Sequence, residues 1–239
     1  ILSEVHKVDG KIKALKAAFP HTIPVMAGYL FLGTAFGILL SSKGYHFGWA
    51  ILMSIFIFAG SMQFVAVNLL VSAFNPLSAF FITLIVNSRH LFYGISMLEK
   101  FRGTGGKKAY LIWGLTDETY SLLCSLDTPD GVDRGWFMFF ITLLNQIYWV
   151  CGSAIGALIG SMFTINTNGI DFVMTALFIV IFINQWKAQK QHAPAIIGLF
   201  SSLICLILFG ADNFIIPSMI LIVIILTVFR GRLEKEEYR

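Results

Sequence analysis

Residues 44–88 read GYHFGWAILMSIFIFAGSMQFVAVNLLVSAFNPLSAFFITLIVNS, and between Lys43 and Arg89 there is no Asp, Glu, Lys or Arg. A bilayer span takes about 20 apolar residues, so this stretch holds more than one. A second charge-free run lies between Arg134 and Asp171. The fold class that follows is an all-α polytopic membrane protein with six to eight membrane segments. Composition agrees: of 239 residues, 57% are hydrophobic and only 13% charged, with a mean hydropathy of +0.79. Soluble domains carry about one quarter charged residues, so a water-soluble globule is excluded.

Outward from that stretch, eight apolar segments can be drawn, near 22–40, 49–71, 77–98, 109–126, 136–162, 171–185, 194–209 and 214–229. Gly, Asn, Ser and Pro sites such as Asn75-Pro76 join them. Residues 20–230 read as one transmembrane domain, with 231–239 as a solvated tail. Ahead of it, Val5, Val8, Ile12, Leu15 and Phe19 recur at helical spacing among Lys7, Lys11, Lys13 and Lys16, interrupted by Gly10. Residues 1–19 therefore read as an amphipathic basic helix on the inner leaflet, and Pro20 and Pro24 as the start of the first membrane segment, a retained helix. The net charge of +4 sits in short basic clusters, the pattern that places them on the cytoplasmic side. It calls for no nucleic acid. Cys124, Cys151 and Cys205 lie far apart in apolar runs and read as buried structural thiols.

Gly33, Ala35, Gly37, Leu39 and Ser42 recur at one offset as Gly152, Ala154, Gly156, Leu158 and Ser161; Gln63 and Pro76 recur at a similar offset as Gln185 and Pro194. This suggests repeat halves of about 20–126 and 136–229. Eight full spans cannot keep the N-terminal, 100–108, 187–190 and 230–239 basic clusters all on one side. The conflict disappears if the Gln63 and Gln185 segments enter and return without crossing. Each half then crosses an odd number of times and the halves are inverted, with broken or re-entrant helices. Eight plain spans with a weak charge bias are the other arrangement.

A charge inside the membrane costs at least a few kcal/mol, so polar residues there are functional candidates. The third segment carries Asn87, Ser88, Arg89, His90 and Tyr93. Arg89 is either paired inside or snorkelling beside an interfacial tyrosine. The fourth carries Thr116, Asp117, Glu118 and Thr119. These acids are either central in a span or in the first turn of a helix starting at Thr116, which leaves too few apolar residues to span. Gly60, Gln63 and Asn68 in one half, and Asn184, Gln185 and Trp186 in the other, mark interrupted polar sites, with Asn145 and Gln146 on a neighbour. Opened backbone there can bind carboxylate and ammonium groups, or the amides can serve as glue between helices. The GxxxG spacings at Gly33 and Gly152 point to close helix packing.

FAGSMQF from Phe58, NSRHLFYG from Asn87 and TDETY from Thr116 follow, in that order, a proline-rich first helix containing GTAFG. Together they resemble the AzlC family, the large subunit of bacterial branched-chain amino-acid exporters, over nearly the whole chain. The resemblance implies a secondary transporter of the inner membrane. It would work beside a small membrane subunit, AzlD, and move valine, leucine or isoleucine outward.

The residues themselves suit such a task. A zwitterion crossing lipid needs a partner for each charge and an apolar pocket for its side chain. Arg89 or an opened helix N-terminus suits the carboxylate, with Gly60, Gln63, Asn87, Asn184 and Gln185 as further substrate-binding candidates. Asp117 or Glu118 suits the ammonium. Asp117, Glu118 or His90 could carry a coupling proton. A channel or a structural subunit are the other classes. No nucleophile with a base at recognisable spacing and no metal cluster stands out, so neither an enzyme nor a cofactor is expected.

Overall fold

The computed structural model describes residues 2–71, 75–163, 191–210 and 214–237, with scattered positions between 164 and 190. The chain forms two compact units, Ile1–Val173 and Met174–Arg239. The first holds α1 (Leu2–Ser42), α2 (Phe47–Phe56), α3 (Gly60–Val71), α4 (Pro76–Met97), α5 (Lys107–Trp113), α6 (Asp117–Ser125) and α7 (Arg134–Met162). In the second, α8 (Ala193–Phe209) and α9 (Ile215–Glu237) pack on each other. No strand occurs among the described residues.

The sequence places a boundary at Pro20 and Pro24, yet α1 runs through both. Proline leaves the carbonyl four residues before it, here Lys16 O and Pro20 O, without its helical donor, and contact with α7 holds the helix through this stretch. Thr22 is fully buried, donates to Phe19 O at 2.8 Å and lies 3.1 Å from Tyr148 OH of α7. Asp9–Ser42 of α1 and Arg134–Met162 of α7 are each long and apolar enough to cross a membrane. At 1.5 Å per residue, α4 also reaches about 33 Å.

The frame of the first unit is the α1–α7 pair, and its seam is made of the repeated small residues. A Cβ at Gly33 would stand 2.9 Å from Ser153 N, and one at Gly37 would fall on Ser153 O and Ala157 N. In the other direction, a Cβ at Gly152 would meet Leu30 O at 2.8 Å, one at Gly156 would fall on Thr34 O, and one at Gly160 would meet Ser41 Cβ at 2.9 Å. Small residues let backbones approach this closely. Residue numbers rise together along the seam, so the two repeat mates are parallel.

That orientation corrects the expectation of inverted halves, and the reason is the fourth segment. It breaks at 114–116 and turns back. α5 starts at Lys107, whose ammonium lies 4.5 Å from the Trp136 ring at the start of α7. α6 ends at Leu126, whose carbonyl accepts from Lys100 Nζ at 3.2 Å, and Arg134 in turn donates to Lys100 O. Both ends of the α5–α6 hairpin are therefore at one end of the unit. Lys11 of α1 covers the same Trp136 ring at 4.5 Å, so the N-terminal and 100–108 basic clusters meet there. Because the hairpin returns to the end it left, α7 starts from the same end as α1.

The second segment also turns back, at the expected place. Tyr45, just before α2, donates from its hydroxyl to Leu70 O near the end of α3 at 3.0 Å. The chain reverses over residues 57–59, where Phe58 takes a φ of 42°, a costly region for an aromatic residue. Burial holds it there, with its ring 5.8 Å from that of Trp113. A Cβ at Gly114 would fall on Thr142 Cγ2, with Phe58 Cε1 at 3.9 Å. The tips of the α2–α3 and α5–α6 hairpins, which enter from opposite ends, thus touch. Phe31, Phe56, Leu77, Leu91 and Ile95 are exposed on the outside, the apolar surface a bilayer covers. Cys124 and Cys151 are also exposed, so of the three free thiols only Cys205 is buried; an apolar run has an outer face as well as an inner one.

Candidate functional site

Both hairpin tips end in a helix N-terminus, where backbone N–H groups carry partial positive charge. Thr116 caps α6 in extended conformation, its side chain accepting from Thr119 N at 3.2 Å. Asp117 and Glu118 therefore occupy the first turn of a helix. α3 starts at Gly60, tight under Trp149: a Cβ there would stand 3.0 Å from Trp149 Cη2.

Arg89, from the middle of α4, joins the two tips. Its Nη2 lies 3.0 Å from Asp117 Oδ2 and donates to Ser61 Oγ at 2.8 Å. One guanidinium nitrogen thus bridges the second residue of α3 and the first of α6. The side chains are 29% and 18% exposed, so the pair is largely shielded and its attraction is stronger than at an open surface. Tyr93, one turn after Arg89, donates to Asp117 Oδ1 at 2.7 Å and stacks on Tyr120 with ring centroids 4.4 Å apart. Asp117 therefore has a partner on each oxygen.

Glu118, about 100° further round the helix than Asp117, faces α1 instead of α4. Its Oε2 lies 2.7 Å from the hydroxyl of Tyr29 on α1. That hydroxyl is also 2.6 Å from Thr116 Oγ1, Thr116 donates to Thr119 Oγ1 at 2.9 Å, and Asn145 Nδ2 of α7 donates to the same Thr119 oxygen at 3.0 Å. This chain ties the α5–α6 hairpin to both helices of the frame. Gln146, the neighbour of Asn145, accepts from Tyr110 OH of α5 at 2.7 Å and donates to Ile55 O in the last turn of α2 at 3.2 Å.

Gln63 lies in a second network beside the first. It is fully buried. Its Oε1 accepts from Trp149 Nε1 at 2.8 Å, and its Nε2 donates to Ser54 Oγ at 3.1 Å. Ser54 donates to Ser153 Oγ at 2.9 Å, and Ser153 to Trp149 O at 2.8 Å. Both ends of the Gln63 amide are engaged within the protein, binding α2 and α3 to α7. Trp149 also packs edge-on against Tyr29, with centroids 5.4 Å apart.

Asn87 and His90 line a different space, a pocket of about 390 Å³ whose walls include Phe80, Thr83, Leu84 and Ile112. The Oδ1 of Asn87 is buried with no donor among the described residues. Arg89, Asp117 and Glu118 are thus brought together, with Gly60 and Asn87 on the flanking elements and Gln63 in the adjoining network. Asn184 and Gln185 lie outside the described residues. The sequence reading missed Tyr29, Ser61 and Trp149. Ser61 sits within AGSMQ and could have been found there; Tyr29 is a single hydroxyl in an apolar run, whose partner is remote in sequence.

These features define an all-helical membrane protein with two opposed, broken-helix hairpins meeting at a charged centre. The chain matches the AzlC protein family over residues 24–163. It is 58% identical over 224 residues to the "Branched-chain amino acid transport protein AzlC" of Bacillus subtilis, covering 94% of this chain and 88% of that protein. It is 44% identical over 223 residues to an "Uncharacterized membrane protein" of Helicobacter pylori, covering 93% and 98%. A membrane protein of Haemophilus influenzae is likewise 44% identical, covering 93% and 91%. No solved structure matches. The chain belongs to the AzlC family.

Proposed function

We propose that this protein is a secondary transporter that exports branched-chain or similar apolar amino acids across the bacterial inner membrane, coupled to protons and working with a small AzlD-like membrane subunit. On this reading it is a carrier and not an enzyme. The observation that carries it is the Arg89–Asp117 pair where the two hairpin tips meet, in a chain so similar to a protein named for branched-chain amino-acid transport.

Within the protein, Arg89 and Asp117 satisfy each other. An amino acid offers the two charges they require, its carboxylate to Arg89 and its ammonium to Asp117, so binding exchanges one set of ion pairs for another without leaving a buried charge alone. The N-termini of α3 and α6 face the same point and favour the carboxylate. A planar guanidinium grips a carboxylate with two bonds. The apolar pocket by Asn87 and His90 suits an aliphatic side chain. In membrane terms α1, α4 and α7 cross while the two hairpins enter and return, the breaks lying where lipid cannot reach unpaired backbone. The N-terminal and 100–108 basic clusters then share the cytoplasmic side.

Proteoliposomes loaded with unlabelled valine test the proposal: they should accumulate labelled valine by counterflow, saturably and faster with the partner subunit. Uptake that neither saturates nor responds to counterflow makes the protein a channel. No uptake with the partner present removes the transport reading.

A further inference from the structure

We propose that the end of the first unit where α5 and α7 start binds the phosphate of an anionic phospholipid, gripped between Lys11 and Lys107 beside Trp136, and that this headgroup braces the α5–α6 hairpin against α1. Lys11 of α1 and Lys107 of α5 each place an ammonium 4.5 Å from the centre of the Trp136 ring. The two nitrogens are therefore at most about 9 Å apart. An indole face attracts a cation through its quadrupole but carries no charge of its own, so two positive charges stand together uncancelled. Neither lysine forms an ion pair among the described residues, where the pairs are Arg89–Asp117 and Arg102–Glu99. Asp133, three residues before the ring, is committed to capping α7, its carboxylate accepting from Trp136 N at 2.7 Å.

The fold positions both lysines. A Cβ at buried Gly135 would stand 2.8 Å from Lys107 Cε, so the Lys107 stem lies in the space which that missing side chain leaves, with its ammonium over the next residue, Trp136. Ala14 and Ala18, one and two turns after Lys11, are fully buried. Ala18 shares a core cluster with Phe137 and Met138 of α7, which fixes the face that Lys11 presents. Lys13 adds a third charge nearby: a Cβ at Gly131, in the turn before α7, would stand 3.0 Å from its Nζ.

The chemistry of the ligand follows from what lies beside this cluster. Ile12, Leu15, Phe19 and Ile23 are exposed at spacings of three and four, an apolar stripe that leaves the lysine end and runs along the part of α1 able to cross a membrane. Tryptophan and lysine at the edge of an apolar surface mark the headgroup level of a bilayer. A ligand with an anion at one end and hydrocarbon at the other fits both features, whereas an acidic protein segment would leave the stripe unused. A phosphate accepts charge-assisted bonds from more than one ammonium at once. Lys11 belongs to the frame and Lys107 to the base of the α5–α6 hairpin, so a phosphate held by both ties one to the other.

The test is lipid binding to the purified protein in detergent, read by native mass spectrometry and by thermal unfolding, with dioleoylphosphatidylglycerol set against dioleoylphosphatidylcholine. The wild type should prefer phosphatidylglycerol by roughly tenfold or more, the scale of two lysines at an anionic headgroup, and should unfold at a higher temperature in its presence. Lys11→Gln and Lys107→Gln should each lose most of that preference alone, since the grip needs both ammonium groups. Arg102→Gln combined with Lys108→Gln removes two charges from the same end that do not lie over the ring, and should keep the preference. A wild type without preference overturns the proposal. So does an equal loss in the charge-matched control, which would make the attraction diffuse. Inorganic phosphate stabilising the protein as well as phosphatidylglycerol does would assign the site to a free anion and overturn the lipid. A Lys11→Gln, Lys107→Gln double variant that loses far more than either single one overturns the brace, because the two lysines then act separately.

Discussion

The α1–α7 seam and the hairpin tips are both places where helices come together inside the first unit, and they are built on opposite principles. The seam is backbone against backbone, with Gly37 and Gly156 so tight that a single added carbon would collide with the facing helix. The tips are held by hydrogen bonds and one ion pair among Ser61, Arg89, Tyr93 and Asp117, and by the bond from Tyr29 to Glu118. Packing of the first kind has one good arrangement and resists change. Polar contacts of the second kind can be exchanged for others of similar strength when a ligand brings matching groups. The difference separates a part that must stay still from a part able to move, and substitutions can test each side.

The largest effect is expected at the seam. Overpacking costs about 1–3 kcal/mol where side chains can shift, but at Gly156 the obstacle is the Thr34 backbone. Gly156→Leu should therefore abolish folded protein, measured by size-exclusion of the detergent-extracted chain. Gly28→Leu on the same α1 helix, where nothing lies within 4 Å, should behave as wild type. Equal behaviour of the two would mean that the seam is not what holds the frame.

Next comes the charged centre. Removing one partner of a buried ion pair costs about 3–5 kcal/mol, because a charge is left unmatched; the residual exposure of both side chains here makes the expected loss smaller. Asp117→Ala and Arg89→Ala should each lower thermal stability more than half as much as they do together, the sign of a coupled pair. Additive effects would place the two charges in separate environments. Arg89→Lys keeps the charge and loses the fork, so valine affinity should fall by about 1–3 kcal/mol. A wild-type affinity would take Arg89 out of the substrate site.

How far the sequence reveals each region follows from the same contrast. The seam is legible because close backbone approach demands glycine, and glycine at repeated spacing is visible in one dimension. The first hairpin is legible for a similar reason, through AGSMQ. The second is only half legible: Thr116 followed by two acids is cap chemistry, but the expectation that an apolar segment must span favours a continuous helix through it. Folding back solves the length problem and makes the repeat mates parallel. Tyr29 is hidden because one hydroxyl in an apolar run gains meaning only from Thr116 and Glu118, which tertiary structure brings to it.

Gln63 sharpens the line between the two regions. Its amide closes a ring with Ser54, Ser153 and Trp149, which is frame chemistry within reach of the tips. Gln63→Leu leaves the Trp149 N–H without its acceptor, a loss of about 1–3 kcal/mol to be read in thermal stability. Valine affinity of the folded variant should change less than at Arg89→Lys. A larger drop in affinity than in stability would move Gln63 from the frame into the site.

The smallest effect belongs to Lys100, at the outer end of the α5–α6 hairpin. Its ammonium lies 3.2 Å from Leu126 O and 3.5 Å from Cys124 O, on the carbonyls that the end of α6 leaves without helical donors. A cation there also meets the negative end of the helix dipole, worth about 0.3–1 kcal/mol at an exposed position. The tip of the same hairpin faces Arg89, so a hairpin that moves as a rigid piece would pass a change at its base on to the site. Lys100→Gln should lower thermal stability slightly and leave valine affinity unchanged, because α6 is held at its tip by Thr116, Asp117 and Glu118 independently of its base. An affinity change larger than the stability change would show that base and tip act together, and the boundary between fixed frame and movable site would then run through α6 itself.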